Sequence, residues 1–195
     1  MVSRHHDELL CIADQLLSQS VQSARHPFHQ AVFATQNMNA IEQRMLVLRR
    51  WVMKRRTLMF HTDIRSPKVV QLRQNPQCSI LFYSQPDKLQ LRFKCQAHIH
   101  YQDRLSDYLF SQTTASQREC YRFSAAPSIE IAPSTKEQLF LESGLIHEED
   151  PYRNFSVCVC NFNQLDLLYL SYKGHQRVLY EWAIDGVLTS TNLIA

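Results

Sequence analysis

Between Leu89 and Tyr101 the chain alternates without a break: Leu89, Leu91, Phe93, Cys95, Ala97, Ile99 and Tyr101 are separated by Gln90, Arg92, Lys94, Gln96, His98 and His100. A period of two places the first set on one face of a β-strand and the second on the other. The segment therefore reads as a long strand with an apolar face for a core and a polar face away from it.

The other segments are read in the same way. Asp7 to Ala24 spaces Leu9, Leu10, Ala13, Leu16, Leu17, Val21 and Ala24 along one helical face and ends before His26-Pro27. Phe28 to Gln36 and Ile41 to Met53 are β-rich and joined by Asn37-Met38-Asn39, which predicts a hairpin. Thr57 to Thr62 follows the basic turn Lys54-Arg55-Arg56 as a third strand. Ser66 suits a helix N-cap and Pro67 the first helical position, so a short helix should run from there to about Asn75-Pro76. Gln77 to Ser84 is a strand closed by Gln85-Pro86-Asp87, and Asp103 to Phe110 and Ser134 to Ser143 are helices. Phe155 to Phe162, Leu165 to Tyr172, Arg177 to Ile184 and Val187 to Ser190 complete the strands, with turns at Lys173-Gly174 and Asp185-Gly186. The expected class is mainly β with helices (α+β), an antiparallel β-barrel with helical additions. One domain is expected over 1–195, with 1–24 an N-terminal helix and 103–150 a largely helical or irregular insertion.

Several functions are argued against by what the chain lacks. Only three glycines occur, so the Walker and Rossmann phosphate loops, which need glycine for close backbone approach, are absent. No G-x-S-x-G elbow is present. The six cysteines form no C-x-x-C pair, and Cys158 and Cys160 alternate with valines as core positions do. His98 and His100 share a strand face without a third ligand nearby, so a solvated face is expected and no metal. No segment approaches the roughly 20 apolar residues of a spanning helix. The first ten residues lack the apolar core of a signal peptide, so the expected location is the cytoplasm, away from membranes.

Charge points toward an anionic ligand. Ala40 to Arg73 carries nine basic residues against two acids, Glu42 and Asp63, whereas Glu137 to Asp150 carries five acids. Ser66-Pro67-Lys68 would bring a helix start, a hydroxyl and an ammonium to one point, as an anion site requires. Arg44 precedes the apolar run Met45-Leu46-Val47-Leu48, where an unpaired guanidinium would be costly to bury, so it needs an anionic partner from protein or ligand. Strand parity puts Arg44 with Leu46 and Leu48, and Arg49 on the opposite face with Met45 and Val47. Gln90 and Arg92 share one face.

Taken in order, Arg44 to Arg49, Leu58-Met59-Phe60-His61-Thr62-Asp63, Ser66-Pro67-Lys68, Leu72, Asn75-Pro76 and Leu89-Gln90-Leu91-Arg92 resemble the FMN-binding core of the pyridoxamine 5'-phosphate oxidase family. The resemblance covers about Phe28 to Ala97 and returns more weakly at Leu165-Asp166-Leu167 and Gln176-Arg177. It implies an FMN-binding split β-barrel in a homodimer with flavin sites at the interface, and an FMN-dependent oxidoreductase of altered or unknown substrate. Arg44 and Lys68 would hold the flavin phosphate, with Ser66 and Arg92 beside the cofactor. Met45, Leu46, Val47 and Leu48 would line the ring through the backbone, His61 and Thr62 would lie near it, and Gln90 would contact it. Arg49 and Arg177 would face a substrate phosphate, and no side chain is assigned as catalytic. The pattern departs from the true oxidases at Pro67, Leu168, Leu179 and Glu181, which marks a divergent branch.

Two other readings compete. The barrel could carry flavin or haem without catalysis, with His61, His98, His100 and His147 available as axial ligands. The basic stretch, interleaved with Trp51 and Phe60, could instead meet a nucleic acid. The leading expectation is a small-molecule site and no nucleic acid.

Overall fold

The computed structural model describes residues 4–130 and 150–195. Its strands are β1 (Gln30–Asn37), β2 (Ala40–Val52), β3 (Thr57–Asp63), β4 (Gln77–Ser84), β5 (Leu89–His100), β6 (Phe155–Tyr169), β7 (Gln176–Trp182) and β8 (Leu188–Leu193). The helices among the described residues are α1 (Arg4–Gln22), α2 (Pro67–Gln74), α3 (Arg104–Ser111) and α4 (Ala115–Glu119). None of them is long and apolar enough to cross a membrane. The helix expected at Ser134 to Ser143 lies outside the described residues, as does the acidic segment from Glu137 to Glu149.

All strand pairings are antiparallel, in the order β3-β2-β1-β4-β5-β6-β7-β8, and β3 also pairs with β6. That second pairing closes the first six strands into a barrel and leaves β7 and β8 as an extension. β6 serves both parts. Its first half lies between β3 and β5, and its second half, from Gln164, lies between β5 and β7. A register shift at Lys94/Cys95 in β5 accompanies the change of neighbour.

The alternation in β5 does what its period requires: Leu89, Leu91, Phe93, Cys95 and Ala97 are buried, and Arg92, Lys94, Gln96 and His98 are exposed. The barrel is filled largely by aromatic rings meeting edge to face, a favoured geometry for rings with opposed face and edge charge. Phe33 meets Phe60 at 5.5 Å between centroids and Phe93 meets Phe162 at 4.9 Å, while Trp51 stacks parallel to Phe162 at 5.6 Å. In β2 a bulge between Leu48 and Arg50 resets the parity, so Leu48 and then Trp51 both reach the core.

α1 buries Leu9, Ala13 and Leu17 against this core. Trp51 Nε1 donates to Asp14 Oδ1 at 2.6 Å, fixing the helix to β2. At the other end the His6 ring bonds Ser190 Oγ at 2.7 Å and Asn192 Oδ1 at 2.8 Å, and the Tyr180 hydroxyl donates to the His6 carbonyl at 2.6 Å. The helix thus ties the extension to the barrel.

The sequence reading divided Phe155–Phe162 from Leu165–Tyr172, but these are one strand of fifteen residues. Every residue from Phe155 to Cys160 is buried. Cys158 and Cys160 face the barrel, whereas Phe155, Val157 and Val159 form a second cluster with Leu109 and Tyr121. α3 covers the face that an open strand would give to water.

Candidate functional site

Arg44, Ser66 and Lys68 line one cavity of about 250 Å³, together with Glu42, Pro67 and Ser128. The cation on β2 and the cation at the start of α2 meet because Gln71, on the inner side of α2, is anchored to β1: Thr35 Oγ1 donates to Gln71 Oε1 at 2.6 Å. Gln71 Nε2 then donates to Glu42 Oε2 at 2.8 Å.

The Arg44 guanidinium donates to Glu42 Oε2 and to the Glu42 carbonyl, both at 3.1 Å, to Gln71 Oε1 at 3.3 Å and to the Thr35 hydroxyl. Burial lowers its pKa and the Glu42 charge opposes that effect. Glu42 is itself held below the ordinary carboxylate value by hydrogen bonds from Gln71 and Asn37, then by Arg44. The anionic partner that Arg44 required is thus present in the protein, two residues away on the same strand face.

Lys68 is different. Its ammonium donates to Thr62 Oγ1 and Ser66 Oγ, each at 2.9 Å, and both acceptors are neutral. Burial lowers its pKa first and the positive charge of Arg44 lowers it further. The Ser66 hydroxyl donates back to the Asp63 carbonyl at 2.7 Å and makes no cap bond to the helix. The hydroxyl therefore orients Lys68 and leaves the start of α2 uncapped.

His61 and Arg49 line a separate cavity of about 170 Å³, with Met59, Leu109 and Gln117. Arg44 and Arg49 line different cavities; the parity of an unbulged strand would part them, but the bulge between Leu48 and Arg50 falls at Arg49, and Arg50 lines the same cavity as Arg49. Burial, with Arg49 adding to it, brings the His61 pKa down to about 4, and the ring meets Phe155 edge to face at 4.9 Å. At neutral pH this is an uncharged imidazole. Between the two cavities on β2, Met45 is exposed, Leu46 and Val47 are half-buried, and Leu48 is wholly buried. Leu48 could therefore meet a ligand only through its backbone.

Gln90 and Arg92 lie on β5, with β1 and β4 between them and β2, and line neither cavity. Arg92 donates to Asp166 Oδ2 on β6. The same carboxylate takes a bidentate pair from Arg177 on β7, Nε to Oδ1 at 3.0 Å and Nη2 to Oδ2 at 2.8 Å. Burial raises the Asp166 pKa, but the hydrogen bonds and charges of the two arginines outweigh it and the net shift is downward. One chain therefore joins Arg92 to Arg177 and keeps both apart from Arg44 and from Arg49.

The sequence reading missed Glu42, Gln71, Thr35 and Asp166 as partners of these cations. Parity could have found Glu42, which shares the face of Arg44. His98 is exposed and His100 bonds Asp103 at 2.8 Å, and among the described residues no group of three ligating side chains could hold a metal.

Residues 13–101 match the family model described as Pyridoxamine 5'-phosphate oxidase, FMN-binding domain, and the matched stretch includes Arg44 and Lys68. Among solved structures the chain is similar to a pyridoxamine 5'-phosphate oxidase-related, FMN binding protein from Nostoc punctiforme PCC 73102, with 21% identity over 95% of this chain and 95% of that chain and a TM-score of 0.74. It is also similar to PhzG from Burkholderia lata 383, solved with tetrahydrophenazine-1-carboxylic acid, with 16% identity over 100% of this chain and 98% of that chain and a TM-score of 0.71. A protein from Clostridium acetobutylicum related to general stress protein 26 of B. subtilis follows at 11% identity, 91% and 96% coverage and a TM-score of 0.56. No curated protein matches the sequence. The fold is the FMN-binding split β-barrel, and FMN is the cofactor of the matched domain.

The residues present fit the phosphate end of that cofactor. Two partly buried cations share a cavity, and among the described residues Arg44 is ion-paired with a carboxylate while Lys68 is bonded to two hydroxyls. An anion there would offset both the burial cost and the mutual repulsion that lower the Lys68 pKa.

Proposed function

We propose that the chain is an FMN-dependent oxidoreductase of the pyridoxamine 5'-phosphate oxidase kind with a different substrate, acting as a cytoplasmic homodimer whose flavin sites lie between the two chains. The observation that carries this reading is the Lys68 ammonium, half-buried in the cavity it shares with Arg44 and bonded, among the described residues, to the neutral hydroxyls of Thr62 and Ser66. Arg44 and Lys68 hold the flavin phosphate, Ser66 and Thr62 orient Lys68, and the backbone from Met45 to Leu48 runs beside the ring. Bound FMN supplies the electron transfer, while the protein supplies position and electrostatics. His61 contributes a neutral imidazole next to Arg49.

Gln90 and Arg92 reach a flavin only from the other chain, because their own strand is remote from Arg44. This separation supports the dimeric reading. A substrate other than pyridoxamine phosphate is supported by Asp166, which already neutralises Arg177 with two hydrogen bonds.

The absorption spectrum of the purified protein tests the cofactor, with the two-banded flavin spectrum expected. Protein that stays colourless after FMN addition and desalting would contradict the proposal. Turnover of pyridoxamine phosphate under oxygen, at rates typical of an enzyme's own substrate, would overturn the substrate reading and leave the flavin reading intact.

A further inference from the structure

A cavity of about 490 Å³ lies apart from the two sites described above. It opens at the fork in β6, where pairing to β3 ends at Asn161 and pairing to β7 starts at Gln164. The fork leaves room because the two neighbouring strands diverge. Arg56 lines the cavity from the left-handed region at φ 51, and its carbonyl accepts the Phe162 N–H at 2.9 Å.

The lining is one-sided in charge. Arg55, Arg56 and Lys94 contribute three positive charges, Gln96 and Asn163 contribute amides, and none of the described lining residues is a carboxylate. Arg55 and Lys94 are exposed and come from opposite sides of the fork, the β2–β3 turn and β5. Trp182 supplies a half-buried aromatic surface, held edge to face on Phe162 at 5.3 Å between centroids. Such a volume is within the range of small-molecule sites, which combine apolar wall with a few convergent polar groups. Arg44, Ser66, Lys68, Gln90 and Arg92 are all absent from this lining.

We propose that this cleft binds a planar aromatic anion of mononucleotide size, with the ring against Trp182 and the negative group between Arg55, Arg56 and Lys94. A lone inorganic anion would leave the aromatic wall unused. A neutral ring would leave the three lining cations without a counter-charge from the described lining residues. The ligand therefore needs both features.

The test uses the full-length protein saturated with FMN, titrated with AMP, adenosine and inorganic phosphate, and read by tryptophan fluorescence and calorimetry. AMP is expected to bind once per chain, with adenosine and phosphate each weaker by about tenfold or more, as loss of a charge-assisted or stacking contact implies. The Arg55→Ala/Lys94→Ala pair, at two exposed positions, should weaken AMP by about tenfold, whereas Arg44→Ala should not change it. The proposal is overturned if AMP fails to bind at millimolar concentration, or if the Arg55/Lys94 pair leaves its affinity unaltered. It is also overturned if AMP displaces FMN one for one, or if single-stranded DNA binds far more tightly with the same residue dependence. Should the protein hold no FMN, the contrast between the Arg55/Lys94 pair and Arg44 still decides this question separately from the proposed function.

Discussion

Arg44 and Glu42 project from the same face of β2, and the guanidinium reaches the carboxylate at 3.1 Å while Gln71 Nε2 holds that carboxylate from α2 at 2.8 Å. A negative side chain thus stands beside the cavity in which a phosphate is proposed to bind. Glu42 keeps Arg44 in place, whereas the Lys68 ammonium is bonded to two neutral hydroxyls and feels the Asp63 charge without a bond to it among the described residues.

That division sets the first expectation. Arg44→Ala and Lys68→Ala should each weaken FMN by about tenfold to a hundredfold, corresponding to the ~1.5–3 kcal/mol of a hydrogen bond to a charged group. Riboflavin, which lacks the phosphate, should lose much less. Flavin fluorescence titrations of both ligands check it, and equal losses for the two would contradict the phosphate assignment.

His61 gives the protein an acid-sensitive fold. Its pKa falls from 6.5 in the unfolded chain to about 4 in the folded one because burial, reinforced by Arg49, disfavours the charge. Between these two values the unfolded state takes up a proton that the folded state refuses, so stability is complete above about pH 6.5 and falls as pH drops toward 4. The loss is of order 3 kcal/mol. Urea midpoints at pH 7 and pH 4.5 should show it, and His61→Phe should flatten that part of the profile.

Asp166 acts in a lower window. Its folded pKa lies below 3.8, so its contribution is present above that value and disappears only as pH falls through the folded value. Asp166→Asn should cost about 2 kcal/mol, because it leaves Arg92 and Arg177 side by side without their shared counter-charge. Arg92→Ala, removing the more exposed partner, should cost less. Denaturant unfolding at pH 7 distinguishes the two.

Trp51→Phe should retain most of the stack on Phe162 and lose the hydrogen bond to Asp14. A cost of about 1 kcal/mol is expected. Hydrogen exchange locates the effect: amides of α1 should exchange faster, while those of β5 keep their protection.

The strands with one wet face were legible from sequence. β5 declares itself because every second residue from Arg92 to His98 is exposed. β6 does not, since α3 buries its outer face and erases the alternation, and exposed Asn161 and Asn163 imitate a break. At the candidate site, residue types identified the cations, whereas parity did not foresee the bulge at Arg49. Their partners were hidden because Thr35, Glu42 and Gln71 meet through the docking of α2, and Asp166 meets Arg92 only through the register of β5 on β6.

The double service of β6 also governs how the chain can be made. As synthesis proceeds from the N-terminus, β1 to β5 emerge first, and the strand that joins β3 to β5 begins only at Phe155. Until then the nascent sheet offers two unpaired edges and one apolar face, the features that recruit neighbouring chains into aggregates. A product truncated before Phe155 should therefore be a client of chaperones and proteases, even though it contains Arg44, Lys68 and every residue of the matched 13–101 segment.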